Sequence, residues 1–224
     1  GLSGVPTDAL AALAATMIRD GDRENGLALA REALAGASPE NSGKILTALT
    51  AGGIAPELTE LLGVIRSWQV LGPLPWQISA GFSGAFAEEP QIDFSAEVDG
   101  SGGKVTWKSV KETGPLGEVN LAGVLGMVEG AAAVAVCRIV VPDPAKAVLR
   151  CGSDDGIKVW VNGKAVFEND CDRGMAPDQD LIPVELNAGE NRLTVVVTQR
   201  AGGWGFQARL TDEQGGPLQF SVVP

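Results

Sequence analysis

The feature that most constrains this chain is a change of hydrophobic periodicity at Arg66-Ser67-Trp68. Before it, apolar residues recur every three or four positions, as on one face of a helix. After it, they fall in short runs broken by Gly, Pro, Asn and Asp, as in strands joined by tight turns. The chain has 224 residues, enough for two parts with separate cores. Residues 1–66 therefore read as a short all-α helical domain, and residues 67–224 as an antiparallel β-sandwich.

In the first part, Thr7-Asp8 after Pro6 has the form of a helix N-cap. Leu10, Leu13, Ala14, Met17 and Ile18 form one helical stripe, and Gly21 stops it. Leu27, Ala30, Arg31 and Leu34 mark a second helix from about Arg23. A third is expected from Ser38 to Gly52, and a short fourth from Pro56. Short loops between such helices predict antiparallel hairpins, either as a plain bundle or as a fragment of a helical repeat array.

In the second part, "SWQVLGPLPW" predicts a strand ended by Gly72-Pro73, and "KVTWKSV" one alternating strand over 104–110. "AAAVAVCRIVV" predicts a long strand stopped by Pro142, and further strands follow at 146–151, 157–162, 164–168, 181–186, 191–198, 205–211 and 218–223. Asn162-Gly163 is the preferred two-residue hairpin turn, and Leu186–Asn191 has the form of a second hairpin loop. In the strand 157–161, Trp160 and Val161 point to opposite faces, so one is expected to pack inward and the other not.

Composition then narrows the chemistry. With 45 % hydrophobic residues the chain can fill a core, and a net charge of −11 makes nucleic acid and anionic membranes poor partners. No apolar stretch reaches the roughly 20 residues that span a bilayer. There is no histidine and no tyrosine, so His-dependent triads and His-ligated zinc are excluded. Cys137 and Cys151 sit in apolar runs and read as buried small hydrophobes. A single bridge such as Cys151–Cys171 stays open for an oxidising compartment.

The chemistry that remains is concentrated around Ser153-Asp154-Asp155-Gly156. A hairpin turning at Asn162-Gly163 brings this stretch beside the acidic loop 168–180, which carries Glu168, Asp170, Asp172, Asp178 and Asp180. Such crowding of carboxylates is unfavourable unless a cation, an arginine or backbone amides offset it. Three readings follow. One is a capped turn, in which an Asp accepts backbone N–H bonds and Gly156 supplies a conformation other residues resist. The second is an oxygen-ligand Ca²⁺ site built from Asp154, Asp155, Asp170 and Asp172; otherwise no cofactor is implied. The third is a sugar site, in which carboxylates accept bonds from hydroxyls. Candidate ligand-binding residues are Asp154, Asp155, Arg173, Gln199 and Trp204, the last flanked by glycines that leave it approachable. Arg173 also suits pairing with a neighbouring Asp. Catalysis is not expected: adjacent extended Asp154 and Asp155 point apart, and no nucleophile signature is present.

"GSDDGIKVWVNGKAVFEND" followed by "LNAGENRLTVVVTQRAGGWGFQARL" resembles the C-terminal part of galactose-binding-like jelly-roll domains, and the first piece also resembles the corresponding stretch of PA14-type modules. "WQVLGPLP" with "GFSGAFAEEP" fits the opening strand of the same group. The resemblance covers roughly residues 67–224. It implies a jelly-roll module of a larger secreted bacterial protein, extracellular or periplasmic, that binds a polysaccharide or other glycan without catalysis. The alternative is a structural or protein-interaction module with no small ligand, whose partner is the rest of its own polypeptide.

Overall fold

The computed structural model describes residues 6–34, 62–111, 114, 116–216 and 218–223. Helices α1 (Thr7–Arg19) and α2 (Arg23–Leu34) form a hairpin, their interface filled by Leu10, Ala11, Ala14, Leu27, Ala30 and Ala33. The helix starts one residue earlier than expected: Thr7 is its first residue, and Pro6 takes the cap position without a side-chain cap bond. The third and fourth helices expected from Ser38 and Pro56 lie outside the described residues.

The stretch 62–65 ties this hairpin to the sheets. Gly63 O accepts from Leu210 N at 2.8 Å, and Ile65 N donates to Ala208 O at 3.0 Å. Alternation along this extended segment sends Val64 to the helices and Ile65 to the sheet core.

The rest is almost entirely antiparallel sheet. β1 (Trp68–Pro75), β4 (Lys108–Val110), β6 (Ala131–Val141), β8 (Ile157–Val161), β9 (Lys164–Asn169) and β11 (Gly189–Gln199) form the larger sheet in the order β4-β1-β6-β11-β8-β9, and β13 (Ser221–Val223) also pairs with β6. The smaller sheet runs β10 (Asp180–Leu186), β7 (Ala145–Asp154), β12 (Gly205–Thr211) and β5 (Val119–Asn120). β2 (Glu97–Gly100) and β3 (Gly103–Thr106) make a separate hairpin, and α3 (Leu121–Leu125) follows β5. The two larger sheets share one core, in which Trp68, Ile139, Val159 and Val195 meet Leu149, Ile182, Phe206 and Leu210. That is a β-sandwich.

β10 alternates buried and exposed residues cleanly because its outer face meets water. Pro183 lies on this edge strand, where a missing N–H costs the sheet nothing. β6 and β8 do not alternate, because both faces are covered. Their outer face lies under a second cluster of Leu71, Trp76, Phe82, Phe86, Val134, Trp160 and Val196. The covering segment is clamped at Glu89, whose carboxylate accepts from Arg192 Nη2 at 2.6 Å and from Thr194 Oγ1 at 2.6 Å. Trp160 and Val161 are therefore both buried, on opposite faces, and neither points to solvent.

Three further expectations change. β1 runs on through Gly72-Pro73, a cis peptide, by shifting register between Leu71 and Leu74. The alternating run 104–110 divides at Trp107 into β3 and β4, which belong to different sheets. The loop 186–191 is not a hairpin: β10 pairs with β7 and β11 with β6 and β8, so the loop crosses from one sheet to the other. Asn191 holds that crossing by accepting from Asn187 N and donating to Asn187 O and Gly189 O.

Candidate functional site

The hairpin β8–β9 turns at Asn162-Gly163, with φ of 51° and 85°. Positive φ at both central residues is what a tight primed turn requires. Its register sets Ile157 against Asn169. The end of β7 and the loop leaving β9 thus meet at one rim of the sandwich, where the 200–204 segment also arrives. Ser153 and Asp154 are the last residues of β7, and the Asp154–Asp155 peptide is cis.

Asp155 is buried, and its carboxylate is fully engaged. Oδ1 accepts from Arg173 N at 3.2 Å and Oδ2 from Arg200 N at 2.7 Å, while its own N–H donates to Thr198 O at 3.1 Å. A buried carboxylate with two amide donors is a structural cap joining the acidic loop to the end of β11. Gly156 is needed here by close approach, not by an unusual φ. A Cβ at 156 would lie 2.8 Å from Thr198 Oγ1 and 3.1 Å from Asn169 O.

The acidic loop is neutralised by Arg173 within it and by arginines from neighbouring segments. Arg173 pairs with Asp180 through two hydrogen bonds, and its Nη2 also donates to Ser153 Oγ at 2.8 Å. Arg200 donates to Asp170 Oδ1 at 2.6 Å and to Cys171 O at 3.2 Å, and stacks over Trp76 at 5.5 Å. Asp178 is gripped by Arg150 and Arg209. Beneath this clamp the loop lies flat on the outer face of β7, so closely that a Cβ at Gly152 would sit 1.9 Å from Ala176 O. Gln179 completes the seam, accepting from Ser153 N at 3.1 Å and donating to Gly174 O at 2.8 Å.

Asp154 is the exception. Among the described residues no cationic side chain pairs with it. Its carboxylate stands half-exposed against the backbone of Gly203, where a Cβ would come within 2.5 Å of Oδ2. Partial burial first, and then the adjacent Asp155, push its carboxyl above the usual carboxylate range; Asp172 adds to the rise and a backbone hydrogen bond from Met175 opposes it.

The structure separates the remaining candidates. Trp204 is buried in the core, with Nε1 directed at Val197 O, and its flanking glycines do not expose it. Gln199 is also buried; Nε2 donates to Gly202 O, and Oε1 has no partner. Asp172 is exposed, whereas Asp155 and Asp170 are committed to amides and Arg200. Asp154, Asp155, Asp170 and Asp172 therefore do not converge as a cation cage of six to eight oxygens. No group of three or more carboxylates or thiols able to hold a metal ion comes together among the described residues. The three cysteines are free, and burial pushes the Cys137 thiol up to about 12 and the Cys151 thiol higher still. Sequence reasoning missed Arg200, the counterion that holds Asp170. The signal was the surplus of carboxylates over arginines in loop 168–180, which required a cation from elsewhere.

No family model matches the chain, and no curated protein does. Among solved structures, a β-glucosidase from Kluyveromyces marxianus in complex with glucose is similar over 65 % of this chain and 16 % of its own length, at 12 % identity and a TM-score of 0.42. The PA14 sugar-binding domain of an RTX adhesin matches over 70 % of this chain and 96 % of its own, at 13 % identity and a TM-score of 0.35. The PA14 domain of the MpAFP antifreeze protein matches over 68 % and 82 %, at 12 % identity and a TM-score of 0.35. At these values no residue's role carries over from them. No helix among the described residues is long and apolar enough to cross a membrane.

Proposed function

We propose that the chain is a noncatalytic carbohydrate-binding module of jelly-roll type, residues 67–224, preceded by a helical segment, 1–66, within a larger protein that works outside the cytoplasm. The supporting observation is Asp154, a rim carboxylate left without a cation in a loop system that neutralises nearly every other acid. A carboxylate so placed accepts hydrogen bonds from vicinal hydroxyls, and partial desolvation strengthens each of them. The Gly202-Gly203 backbone beside it is exposed. Hydrolysis of a glycosidic bond needs two available carboxyl groups. Both oxygens of Asp155 are already taken by amides, so Asp154 lacks its nearest partner.

A structural module without a small ligand is the second reading, and the saturation of the rest of the rim favours it. A glycan array probed with the wild-type chain and with Asp154→Asn separates the two. Retention of neutral glycans by the wild type and its weakening in the variant is expected; retention of no glycan by the wild type would overturn the carbohydrate reading.

A further inference from the structure

β1 and β13 both run antiparallel to β6 along the same edge. β1 pairs as far as Gln69↔Val136, and β13 takes over at Val223↔Arg138. Where the two strands meet end to end, the outer face of the larger sheet opens into a cleft of about 220 Å³, lined by Ser67, Gln69, Phe94, Trp107, Val136 and Arg138. One wall is aromatic. Phe94 and Trp107 meet edge to face at 5.0 Å, and the Trp107 indole is fixed by its Nε1–H donating to Asp93 O at 2.8 Å. Phe94 stays 44 % exposed, a cost in water that folding does not recover. The opposite side is polar. Neither the Gln69 amide nor the Ser67 hydroxyl makes an intramolecular hydrogen bond among the described residues.

The charges around the cleft select its ligand. No carboxylate lines it, so nothing there attracts a cation. Glu190 lies 3.7 Å from the Arg138 guanidinium and offsets it, and the net charge of −11 repels polyanions. What fits is a neutral group with one apolar face and several hydroxyls. The cleft is smaller than the roughly 300–1,000 Å³ of pockets for larger ligands, which suits a single ring.

We propose that the Phe94–Trp107 cleft is a second saccharide site, holding one neutral pyranose ring against the aromatic wall while Gln69 and Ser67 bond its hydroxyls. The proposal rests on the carbohydrate reading of the chain, but on a different face. The rim meets β6 at Ala131, and the cleft meets it at Val136–Arg138, roughly 15–25 Å away at about 3.4 Å per residue.

The five tryptophans make the test specific, because Trp68, Trp76, Trp160 and Trp204 are buried and Trp107 alone is partly exposed. Acrylamide quenching of intrinsic fluorescence therefore reports on Trp107. The probes are neutral tetrasaccharides of glucose, galactose, mannose and xylose. At least one is expected to protect Trp107 from quenching. Gln69→Ala is expected to weaken that protection about tenfold and Asp154→Asn to leave it intact, while Trp107→Ala, which removes the reporter, is read by calorimetry and is expected to lose the cleft's share of the binding at an unchanged fold. Calorimetric binding that is lost in Asp154→Asn while Trp107 stays fully quenchable would overturn the cleft and leave the rim reading standing. Failure of every tetrasaccharide to bind at millimolar concentration would overturn both.

Discussion

The acidic rim and the aromatic cleft are opposite solutions to placing polar groups at the edge of a sandwich. At the rim, Asp155, Asp170, Asp178 and Asp180 each meet an arginine or a pair of backbone amides; Asp172 stands exposed in solvent, and Asp154 is the half-buried carboxylate that no cation meets among the described residues. At the cleft, an exposed Phe and a pinned Trp face an amide and a hydroxyl that bond to nothing else among the described residues. The rim holds more charge but has spent it on holding the loops. The cleft holds almost none and has kept its hydrogen-bonding capacity. A dense acidic cluster in a sequence therefore marks where loops are fastened, and the group without a partner marks where a ligand can enter.

If that contrast is right, rim substitutions should strike stability and cleft substitutions should strike binding. Asp155→Ala should have the largest effect, because it strands two amides in a buried site. A loss of about 3–4 kcal/mol is expected, read as a fall of roughly 10 °C in melting temperature. A fall below a few degrees would show that the rim is not fastened through this carboxylate. Gly156→Val forces a Cβ against Thr198 Oγ1 and Asn169 O and should cost about 1–3 kcal/mol. An unchanged melt would mean that the bend relaxes freely.

Asp154→Asn should be the reverse of Asp155→Ala. Folding raises the pKa of Asp154 above its unfolded value. Its favourable contribution is then fully present below the unfolded pKa of about 3.9 and is lost as pH rises through the folded value. Removing the charge should raise the melting temperature at pH 7, by an amount on the order of 1 °C after solvent screening, and the gain should vanish below about pH 4. A marked destabilisation would return Asp154 to the structural network. Calcium should have the smallest effect. At millimolar concentration no melting shift is expected, because Asp155 and Asp170 are already committed. A clear upward shift would mean that the rim reorganises around a cation.

Much of this was legible in the sequence wherever the physics is local. Period-two alternation announces the strands, and a two-residue Asn-Gly turn forces the ends of its strands together, so the meeting of 153–156 with 168–180 follows from connectivity. Choice of partner is not local. The turn residues at 186–191 serve a hairpin or a crossing between sheets equally well, and only the competition between β7 and β11 for β10 decides. The alternation of 104–110 continues through the bend at Trp107, which is why one apparent strand is two. Glycines around Trp204 suggested access, but the indole is buried in the same core as Trp68 and Phe206. Arg200 lies thirty residues from Asp170, and no spacing rule connects them.

The central claim is that the rim binds neutral saccharide through Asp154, its half-buried carboxylate without a cation. Isothermal titration calorimetry with the neutral tetrasaccharides, run on the wild type and on Asp154→Asn at pH 7 with melting curves of both, tests it most directly. The expected result is binding by the wild type, a rim contribution lost in Asp154→Asn, and a variant at least as stable as the wild type. Identical titration curves for the two proteins, or a variant that loses binding only because it has lost stability, would contradict it.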